Sequence, residues 1–482
     1  MKKLIALFLA LIIFLGFQTP VFALVSEQSA AIQSLVDDAQ RRSRVPGISV
    51  SIVVGDEVRF FSAGITNRET EIPADEETLW ELASVSKAFT ALGLLYLEEQ
   101  GLLSLDDSIA VHLPGLTFRY NGQPVDMQEV RLYHFLYHTV GITQQHPNRV
   151  QDRPGPDTLQ STVEALIDAE LVFFPGEKFD YGTKNYNVLG LVMANVTGQS
   201  YESFMEEQIF RPLGLTQTFA NRGHAKSTER LAQGYITNFV YWNRQQDSPE
   251  SGGSVPTGYI ISSSQDMARW MGIQLGIVTD IPEIFIPLIP RSHIGNKSVA
   301  AEYVWGMGYL YYAAGWIIRQ DESRVEHGGN NPGFATYVLL FPEEQIGITV
   351  LSNGRAINTV SVAESIAGIL GGDLGARYSM FIAQIFDIVF TVVTVLFGVL
   401  AALFFFWSLR RKSQNKKLPI TKKRIVLILI WSVVTLAFGV LMALDLIHFS
   451  VFSLYSQLTG ITALVLLCAS ITWFVATPGR SK

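Results

Sequence analysis

The 482-residue sequence has a single cysteine, Cys468, which lies inside a long apolar run near the C-terminus. One cysteine cannot form an intramolecular disulfide or a Cys₄ metal site, and a cysteine within an apolar run is not a solvent-facing nucleophile. The eight histidines show no HExxH motif or comparable ligand spacing. The sequence therefore predicts neither a metal ion nor any other cofactor.

Charged residues are scarce, at 16% of the chain, and positive charge is scarcest in its central part. Residues 4–375 carry 23 basic and 41 acidic side chains, which gives a formal net charge of −18. Domains that bind nucleic acid carry a basic patch or stripe instead. The central region is therefore not expected to bind nucleic acid.

The apolar residues, 48% of the chain, are concentrated at its two ends. At the N-terminus, two lysines precede the 14-residue apolar stretch Leu4–Phe17, and small residues follow at Val21-Phe22-Ala23. This arrangement is typical of a secretory signal peptide, and the apolar run is short for a membrane span. We expect residues 1–23 to direct export of the domain that follows.

The C-terminal region, residues 376–482, contains three apolar segments, at about 386–409, 425–446 and 451–475. Each reaches the roughly 20 residues that a transmembrane helix needs. The loop 410–424 between the first two carries eight positive charges and no acid, which predicts a cytoplasmic position. The protein is thus predicted to be a multi-pass protein of a bacterial cell membrane with its central domain outside. Association of the three transmembrane helices between copies is the predicted way in which the protein would form oligomers.

The region between these ends, residues 24–375, is predicted to form one exported domain. Its β-rich segments lie at both ends, and a helix-rich stretch lies between them, which predicts a single sheet built from the two chain ends rather than alternating βαβ units. The predicted terminal elements are a helix at Glu27–Ser43, strands at Gly47–Val54, Glu57–Ile65, Ala335–Phe341 and Gly347–Ser352, and a helix at Thr359–Leu370.

The segment Glu81–Thr90 is predicted to open a helix, and it contains the Ser-x-x-Lys motif of Ser84 and Lys87. At a helix N-terminus the dipole favours developing negative charge, and a residue three positions on projects from the same face. A partly desolvated lysine can lose its proton and act as the base for such a hydroxyl. Alone the Ser-x-x-Lys motif is weak evidence, because a second copy occurs at Ser413–Lys416. A serine at a helix N-terminus is also more often a helix N-cap than a nucleophile.

Two further blocks follow in the chain. Tyr181 comes after a Pro-Gly turn and just before a predicted helix, and His327-Gly328-Gly329 leads into the C-terminal strands. Taken singly, each is more often structural than catalytic. Together and in this order, the three blocks resemble the serine β-lactamase and penicillin-binding-protein superfamily, in particular its class-C-like branch of S12-type peptidases and esterases.

The resemblance covers nearly all of residues 27–372 and implies a β-lactamase/transpeptidase-like α+β fold. In such a fold an antiparallel sheet is flanked by helices and completed by a helical subdomain. It also implies that Ser84 is the nucleophile, Lys87 its activating base and Tyr181 a second acid/base. Which of Lys87 and Tyr181 takes the serine proton stays open, as in related enzymes.

The third block is expected to line the substrate site. By the same resemblance, His327 is a catalytic residue, and Gly328 and Gly329 let the substrate backbone approach closely. The backbone N–H groups of Ser84 and Asn330 are expected to form the oxyanion hole, whose donors are worth roughly 3–4 kcal/mol each.

The layout of signal peptide, hydrolase domain and three C-terminal spans is similar to that of membrane-bound peptidases that mature colibactin- and zwittermicin-type prodrugs by removing an N-acyl-D-asparagine cap. Thr183 and Asn331 then correspond to residues that hydrogen-bond a side-chain amide. Two positions depart from the patterns: Thr183 replaces the asparagine of the family's Tyr-x-Asn motif, and Ser254 replaces a histidine of those peptidases.

The expected function is that of a membrane-anchored serine hydrolase or peptidase of the prodrug-maturing type, which cleaves an amide bond involving a D-amino residue through an acyl-serine intermediate. The partner would be a small peptide or acyl-D-amino substrate. Three alternatives remain open: a cell-envelope D-alanine esterase or carboxypeptidase, a β-lactamase, and a non-catalytic protein that binds envelope material. A salt bridge holding Lys87 away from Ser84 would favour the last.

Overall fold

The computed structural model describes residues 26–142, 159–238, 242–248, 252–300, 302–304 and 308–380, with isolated residues between 388 and 410. The predicted signal peptide, about half of the first predicted span and everything beyond residue 410 lie outside the described residues. Among the helices that are described, none is long and apolar enough to cross a membrane.

An eight-stranded antiparallel sheet forms the centre of the domain, in the strand order β10-β11-β12-β13-β14-β15-β1-β2. The strands of the whole domain are β1 Gly47–Val54, β2 Glu57–Gly64, β3 Leu79–Glu81, β4 Phe118–Tyr120, β5 Gln123–Pro124, β6 Ala169–Leu171, β7 Gly234–Asn238, β8 Trp242–Gln246, β9 Ile261–Ser263, β10 Glu302–Val304, β11 Gly308–Tyr312, β12 Ile317–Arg319, β13 Val325–Asn331, β14 Phe334–Phe341 and β15 Ile346–Ser352.

The two ends of the domain meet in this sheet. β1 pairs with β15 in antiparallel register, Val50 opposite Val350, and with β2 on its other side. All eight residues of β1 are buried, because helices cover both faces of the sheet at this point. The predicted sheet assembled from both chain ends is therefore confirmed, and its first two strands form a hairpin.

Helices lie on both faces of the sheet, which gives three layers. α1 and α11 cover one face and share an apolar core with it. α9 lies against β1 and β15 on the other face, where the larger core continues into the helical part of the domain. The α-helices are α1 Ser26–Ser43, α2 Ser86–Glu99, α3 Ile109–His112, α4 Leu132–Leu136, α5 Leu159–Glu164, α6 Asn185–Thr197, α7 Tyr201–Phe204, α8 Arg222–Ser227, α9 Ser264–Gln274, α10 Leu288–Ser292 and α11 Thr359–Leu370.

The start of the predicted helix at Glu81–Thr90 needs a correction. Glu81 ends strand β3, which pairs with β9, and α2 begins only at Ser86 after a 3₁₀ turn at Ala83–Val85. The reason is the backbone of Ala83, whose φ of +47° lies in the left-handed region and cannot continue a right-handed helix. The strand and the helix are joined by a tight turn, and Ser84 is at its centre.

Candidate active site

The turn between β3 and α2 exposes Ser84 while its neighbours are buried. Ala83 and Val85 are fully buried, whereas Ser84 is partly exposed. A left-handed φ at an alanine costs free energy and persists only where the surrounding structure enforces it; such backbone strain is concentrated at functional sites. The enforcement comes from the Leu82 N–H, which donates to the Ile260 carbonyl at 2.8 Å.

Lys87 is the nearest titratable partner of the serine. Its Nζ lies 3.1 Å from the Ser84 hydroxyl oxygen and donates to the carbonyl oxygen of Thr257 at 2.7 Å. The side chain is fully buried, and burial lowers the pKa of Lys87 to about 7 because an ammonium ion is poorly solvated there. Among the described residues Lys87 forms no salt bridge, so a large fraction is neutral near pH 7.

Tyr181 faces the same lysine from the loop before α6. Its ring centre is 5.1 Å from Lys87 Nζ. Its hydroxyl is buried and meets no hydrogen-bond partner within 3.5 Å in the described part of the chain. Burial raises the pKa of the Tyr181 phenol, and the nearby Ser84 hydroxyl opposes part of that rise. The phenol therefore carries its proton at neutral pH.

Strand β13 carries the third predicted block past the serine turn. A Cβ atom on Gly329 would lie 2.6 Å from the Leu82 carbonyl oxygen and 2.8 Å from the Ala83 Cβ. A glycine is required at this position because the strand packs directly against the turn. Gly328 is less confined: a Cβ atom there would come no closer than 3.3 Å to the Tyr337 ring.

His327, predicted as catalytic, is buried between aromatic rings. Its Nε2 is 3.1 Å from the hydroxyl of Tyr312, and its ring centre is 6.2 Å from that of Tyr181. Burial and the charge of Lys87 lower the pKa of His327 to about 3, so the ring is neutral at physiological pH. In this state it contacts Tyr312, and its catalytic role stays a prediction.

The remaining predicted binding residues have different surroundings. Asn330 has an exposed side chain at the end of the strand. Asn331 is buried, and its amide nitrogen donates to the Glu81 carboxylate at 2.8 Å and to the Gly258 carbonyl at 2.7 Å. Its amide nitrogen is thus held within the protein, because Asn331 shares the inward face of β13 with Gly329. The expected contact of this residue with a substrate amide stays a prediction.

Thr183 is partly exposed beside Tyr181. Its carbonyl oxygen accepts a hydrogen bond from the Thr257 hydroxyl, and Thr257 is also the residue whose carbonyl binds Lys87. Thr257 therefore joins the tyrosine loop to the lysine. Sequence patterns did not single it out, because its partners are more than 70 residues away in the chain.

Three further residues near the site were not predicted to act there. Tyr312 binds His327, as described above. His138, interpreted from sequence as a core histidine, is indeed buried, but its ring lies 4.4 Å from that of Tyr181. Glu81 is a buried carboxylate that pairs with Arg222. The available signal was the position of Glu81 in the apolar stretch before Ser84, where an isolated acid needs a buried partner.

No group of three or more His, Cys, Asp or Glu side chains among the described residues is arranged to hold a metal ion. What the site contains is a hydroxyl, a buried amine that is partly neutral near pH 7, and a protonated phenol within one small volume. These groups can form and break an ester at Ser84.

This fold and site define the class of protein. The chain matches the β-lactamase family model over residues 32–368, and it belongs to this family. Its fold is that of the β-lactamase/transpeptidase-like serine hydrolase superfamily, as the sequence resemblance implied.

Individual relatives agree with this assignment. The chain is 28% identical to protein flp of Staphylococcus aureus strain MRSA252 over 437 residues, which cover 87% of this chain and 82% of that protein. It is 26% identical to a β-lactamase of Providencia stuartii over 360 residues, which cover 69% of this chain and 88% of that protein.

Solved structures show the same fold. The octameric penicillin-binding protein homologue from Pyrococcus abyssi matches with a TM-score of 0.64 and 26% identity, covering 73% of this chain and 79% of the other. The β-lactamase/D-alanine carboxypeptidase from Pseudomonas syringae matches with a TM-score of 0.59 and 21% identity, covering 72% and 99%; at that identity the likeness concerns the fold alone.

Proposed function

We propose that this protein is a membrane-anchored serine hydrolase of the class-C-like branch, which cleaves an amide or ester of a D-amino compound through an acyl-Ser84 intermediate. The observation that carries the proposal is the 3.1 Å contact between the Ser84 hydroxyl and a fully buried lysine that has no acidic partner among the described residues. A protein that only bound envelope material would have no need for this costly arrangement.

The protonation states support Lys87 as the acceptor in the first proton transfer. Neutral Lys87 takes the proton of Ser84 as the hydroxyl oxygen attacks the substrate carbonyl carbon. Tyr181, which is protonated, then gives its proton to the leaving amine or alcohol as the carbonyl–leaving-group bond breaks. In the second half of the cycle water attacks the carbonyl carbon of the acyl-Ser84 ester and gives a proton to the Tyr181 phenolate. The ester C–O bond then breaks as the Ser84 oxygen takes back the proton held by Lys87, which releases the acid and restores all three groups. His327 and the backbone N–H groups of Ser84 and Asn330 are proposed to contact the reacting carbonyl region.

The edge of β13 offers a place for the substrate backbone. β12 pairs with β13 only at Val325 and Glu326. From His327 onward, that edge has no strand partner within the described ranges, and it runs past the serine turn. An extended peptide can bind such an edge through main-chain hydrogen bonds. This placement supports a peptide-like substrate with its scissile carbonyl at Ser84.

A substrate with a small D-residue, an acyl-D-alanine amide or ester, is the best supported choice. The prodrug-type D-asparagine cap was expected to bind Asn331 through its side-chain amide, but the Asn331 amide protons are already donated to Glu81 and Gly258. The name of one relative, a β-lactamase 26% identical to this chain, agrees with a D-alanine-like acyl group.

A D-asparagine prodrug cap remains the second candidate because of Thr183. This residue is partly exposed immediately beyond Tyr181, and its backbone is fixed through Thr257. Its hydroxyl can therefore meet a side-chain amide of a substrate bound at Ser84.

The substrate choice is tested with the full-length chain in detergent. Matched N-acyl-D-Ala, N-acyl-D-Asn and N-acyl-L-Ala amides, a D-alanyl ester and a β-lactam are compared by kcat/KM, with Ser84→Ala as the control. We expect the D-Ala compounds to be preferred over both the L-Ala and the D-Asn compounds. A preference for D-Asn would select the prodrug type, and turnover by Ser84→Ala would contradict the proposal as a whole.

The membrane part of the proposal concerns residues 376–482. The match to the Staphylococcus protein covers 87% of this chain, more than the 24–375 domain contains, so part of the terminal regions is shared with it. In intact cells carrying Cys468→Ala, cysteines placed within 411–424 should resist an impermeant thiol reagent, while a cysteine at exposed Asn330 should react. Labelling of the loop from outside would contradict the proposed topology.

A further inference from the structure

His138 is a fully buried histidine that packs against the proposed acid/base. Its ring centre is 4.4 Å from that of Tyr181 and 4.5 Å from that of Tyr312. Its backbone φ is +55°, in the left-handed region that disfavours a side chain of this size. The structure thus accepts a strained residue at a position that touches the active-site tyrosine.

The hydrogen bonds of His138 explain what this strain achieves. Its carbonyl oxygen accepts the N–H of Asp180 at 3.0 Å. Its ring Nδ1 accepts the N–H of Gly182 at 3.3 Å and the side-chain amide of Asn185 at 2.9 Å. One residue therefore binds the backbone on both sides of Tyr181, while its ring packs against the tyrosine ring between them.

The protonation state of the ring follows from these partners. Both the Gly182 N–H and the Asn185 amide group are donors, so Nδ1 is an acceptor and the ring proton is on Nε2. Nε2 is buried and has no hydrogen-bond partner in the described part of the chain. Burial, with the positive charge of Lys87, also lowers the pKa of His138. Within the described ranges the ring has no proton acceptor in reach, and it stays neutral, which argues against a direct acid/base role.

We propose that His138 is a positioning residue that holds the Tyr181 phenol against Lys87 and Ser84. The proposal deepens the proposed function and rests on it, since it assumes that Tyr181 transfers protons in the reaction. Loss of the Nδ1 acceptor frees the Gly182 N–H and lets the loop shift. A displacement of about 1 Å in a reacting group can cost roughly 100-fold in rate.

Three variants separate positioning from simple packing. His138→Phe keeps a ring of similar size and removes the acceptor. His138→Asn supplies an amide oxygen near the Nδ1 position, and asparagine tolerates a positive φ. His134→Phe is the matched control: His134 is also buried, and its Nδ1 accepts a backbone N–H from Arg131 at 3.0 Å, but it has no ring contact with Tyr181 among the described aromatic pairs.

The first readout is the rate of each half-reaction, measured by single-turnover kinetics with an acylating ester. His138→Phe should slow the Tyr181-dependent step about 100-fold, and His138→Asn should restore it to within about tenfold. The double variant with Tyr181→Phe should be no slower than Tyr181→Phe alone, because both changes remove the same contribution. His134→Phe should leave the rate per folded molecule unchanged.

The second readout does not depend on turnover. A 3-fluorotyrosine placed at position 181 reports its surroundings through its ¹⁹F NMR signal. His138→Phe should shift and broaden this signal, His138→Asn should leave it close to wild type, and His134→Phe should not affect it. If His138→Phe does not fold, His138→Gln replaces it with the same expectation, since its amide reaches toward the Nε2 position instead.

The outcomes separate the two proposals. A folded wild type that never acylates Ser84 refutes the proposed function, while the ¹⁹F signal still decides whether His138 holds Tyr181. Normal half-reactions together with an unchanged ¹⁹F signal in folded His138→Phe would overturn the positioning role. Equal damage from His138→Phe and His138→Asn would also overturn it, because the acceptor would then not be the decisive group.

Discussion

Lys87 Nζ lies 3.1 Å from the hydroxyl oxygen of Ser84 inside a site that excludes water from the lysine completely. At this distance a proton can pass directly from the Ser84 hydroxyl to Lys87. Burial keeps part of the lysine in the neutral form that can accept this proton, because a desolvated ammonium ion gives up its own proton more readily. An exposed lysine at the same distance would be almost fully protonated at pH 7.

The pH dependence of acylation should report this lysine. Only the neutral amine can take the Ser84 proton, and the pKa of Lys87 is lowered to about 7. We therefore expect the acylation rate to rise with pH through an apparent pKa near 7 and to level off above it. Single-turnover rates of a chromogenic ester between pH 5 and 9 measure this directly. A rate that stays flat across this range would remove Lys87 as the base.

Replacing Lys87 with methionine should lower the acylation rate and raise the free energy of unfolding. In Lys87→Met we expect acylation to fall by about 10³-fold or more and the free energy of unfolding to rise by a few kcal/mol. In the wild type, the unfolded chain keeps its lysine protonated up to about pH 10.5, while the folded chain loses that proton near pH 7. Wild-type stability therefore rises with pH between these values.

It follows that the excess of the Lys87→Met unfolding free energy over that of the wild type should be largest below pH 7 and should shrink toward pH 10. Thermal unfolding of both proteins at a series of pH values checks the sign. A wild type that is more stable than the variant at pH 6 would mean that the buried lysine is better solvated than its surroundings indicate.

The two glycines of β13 provide a matched pair. Gly329→Ala places a methyl group against the Leu82 carbonyl and the Ala83 side chain, so the serine turn must move. We expect it to lose most activity and about 1–3 kcal/mol of stability. Gly328→Ala meets only the edge of the Tyr337 ring at 3.3 Å and should be much milder. The comparison uses kcat/KM and thermal unfolding; equal effects would contradict the close approach at Gly329.

Asn331 should behave as a structural residue. Asn331→Ala removes a donor from the buried Glu81 carboxylate, which we expect to cost about 1–3 kcal/mol of stability. KM for N-acyl-D-Asn and N-acyl-D-Ala amides should change in parallel. A selective rise in KM for the D-Asn compound without loss of stability would show that Asn331 contacts the substrate and would contradict the structural role.

The sequence indicated the groups proposed to be catalytic because their types and spacing are local. Ser84 and Lys87 are three residues apart, and Tyr181 follows a recognisable turn. The strands at the two chain ends were readable for the same reason, since alternation and turn residues mark them over short distances. The predicted start of α2 was wrong by a few residues. The cause is the left-handed backbone at Ala83, which an alanine in the sequence does not indicate.

Contacts between distant segments could not be read in this way. Tyr312, His138 and Thr257 reach the site only after the chain has folded, and each belongs to a segment that looks like ordinary core. Asn331 shows a different limit: its offset from the His-Gly-Gly motif predicted a substrate contact, but nothing in the sequence indicated that its amide nitrogen donates to Glu81, which is 250 residues away in the chain.

The covalent intermediate is the central claim, and intact-mass measurement of the purified full-length protein tests it most directly. After brief exposure to an acyl-D-alanine ester, we expect the mass of one acyl group on the wild type, located at Ser84 by peptide mapping. Tyr181→Phe should accumulate more of this adduct as deacylation slows, and Ser84→Ala should carry none. The absence of any adduct on folded wild type and on Tyr181→Phe, or an adduct that persists in Ser84→Ala, would contradict the proposed mechanism.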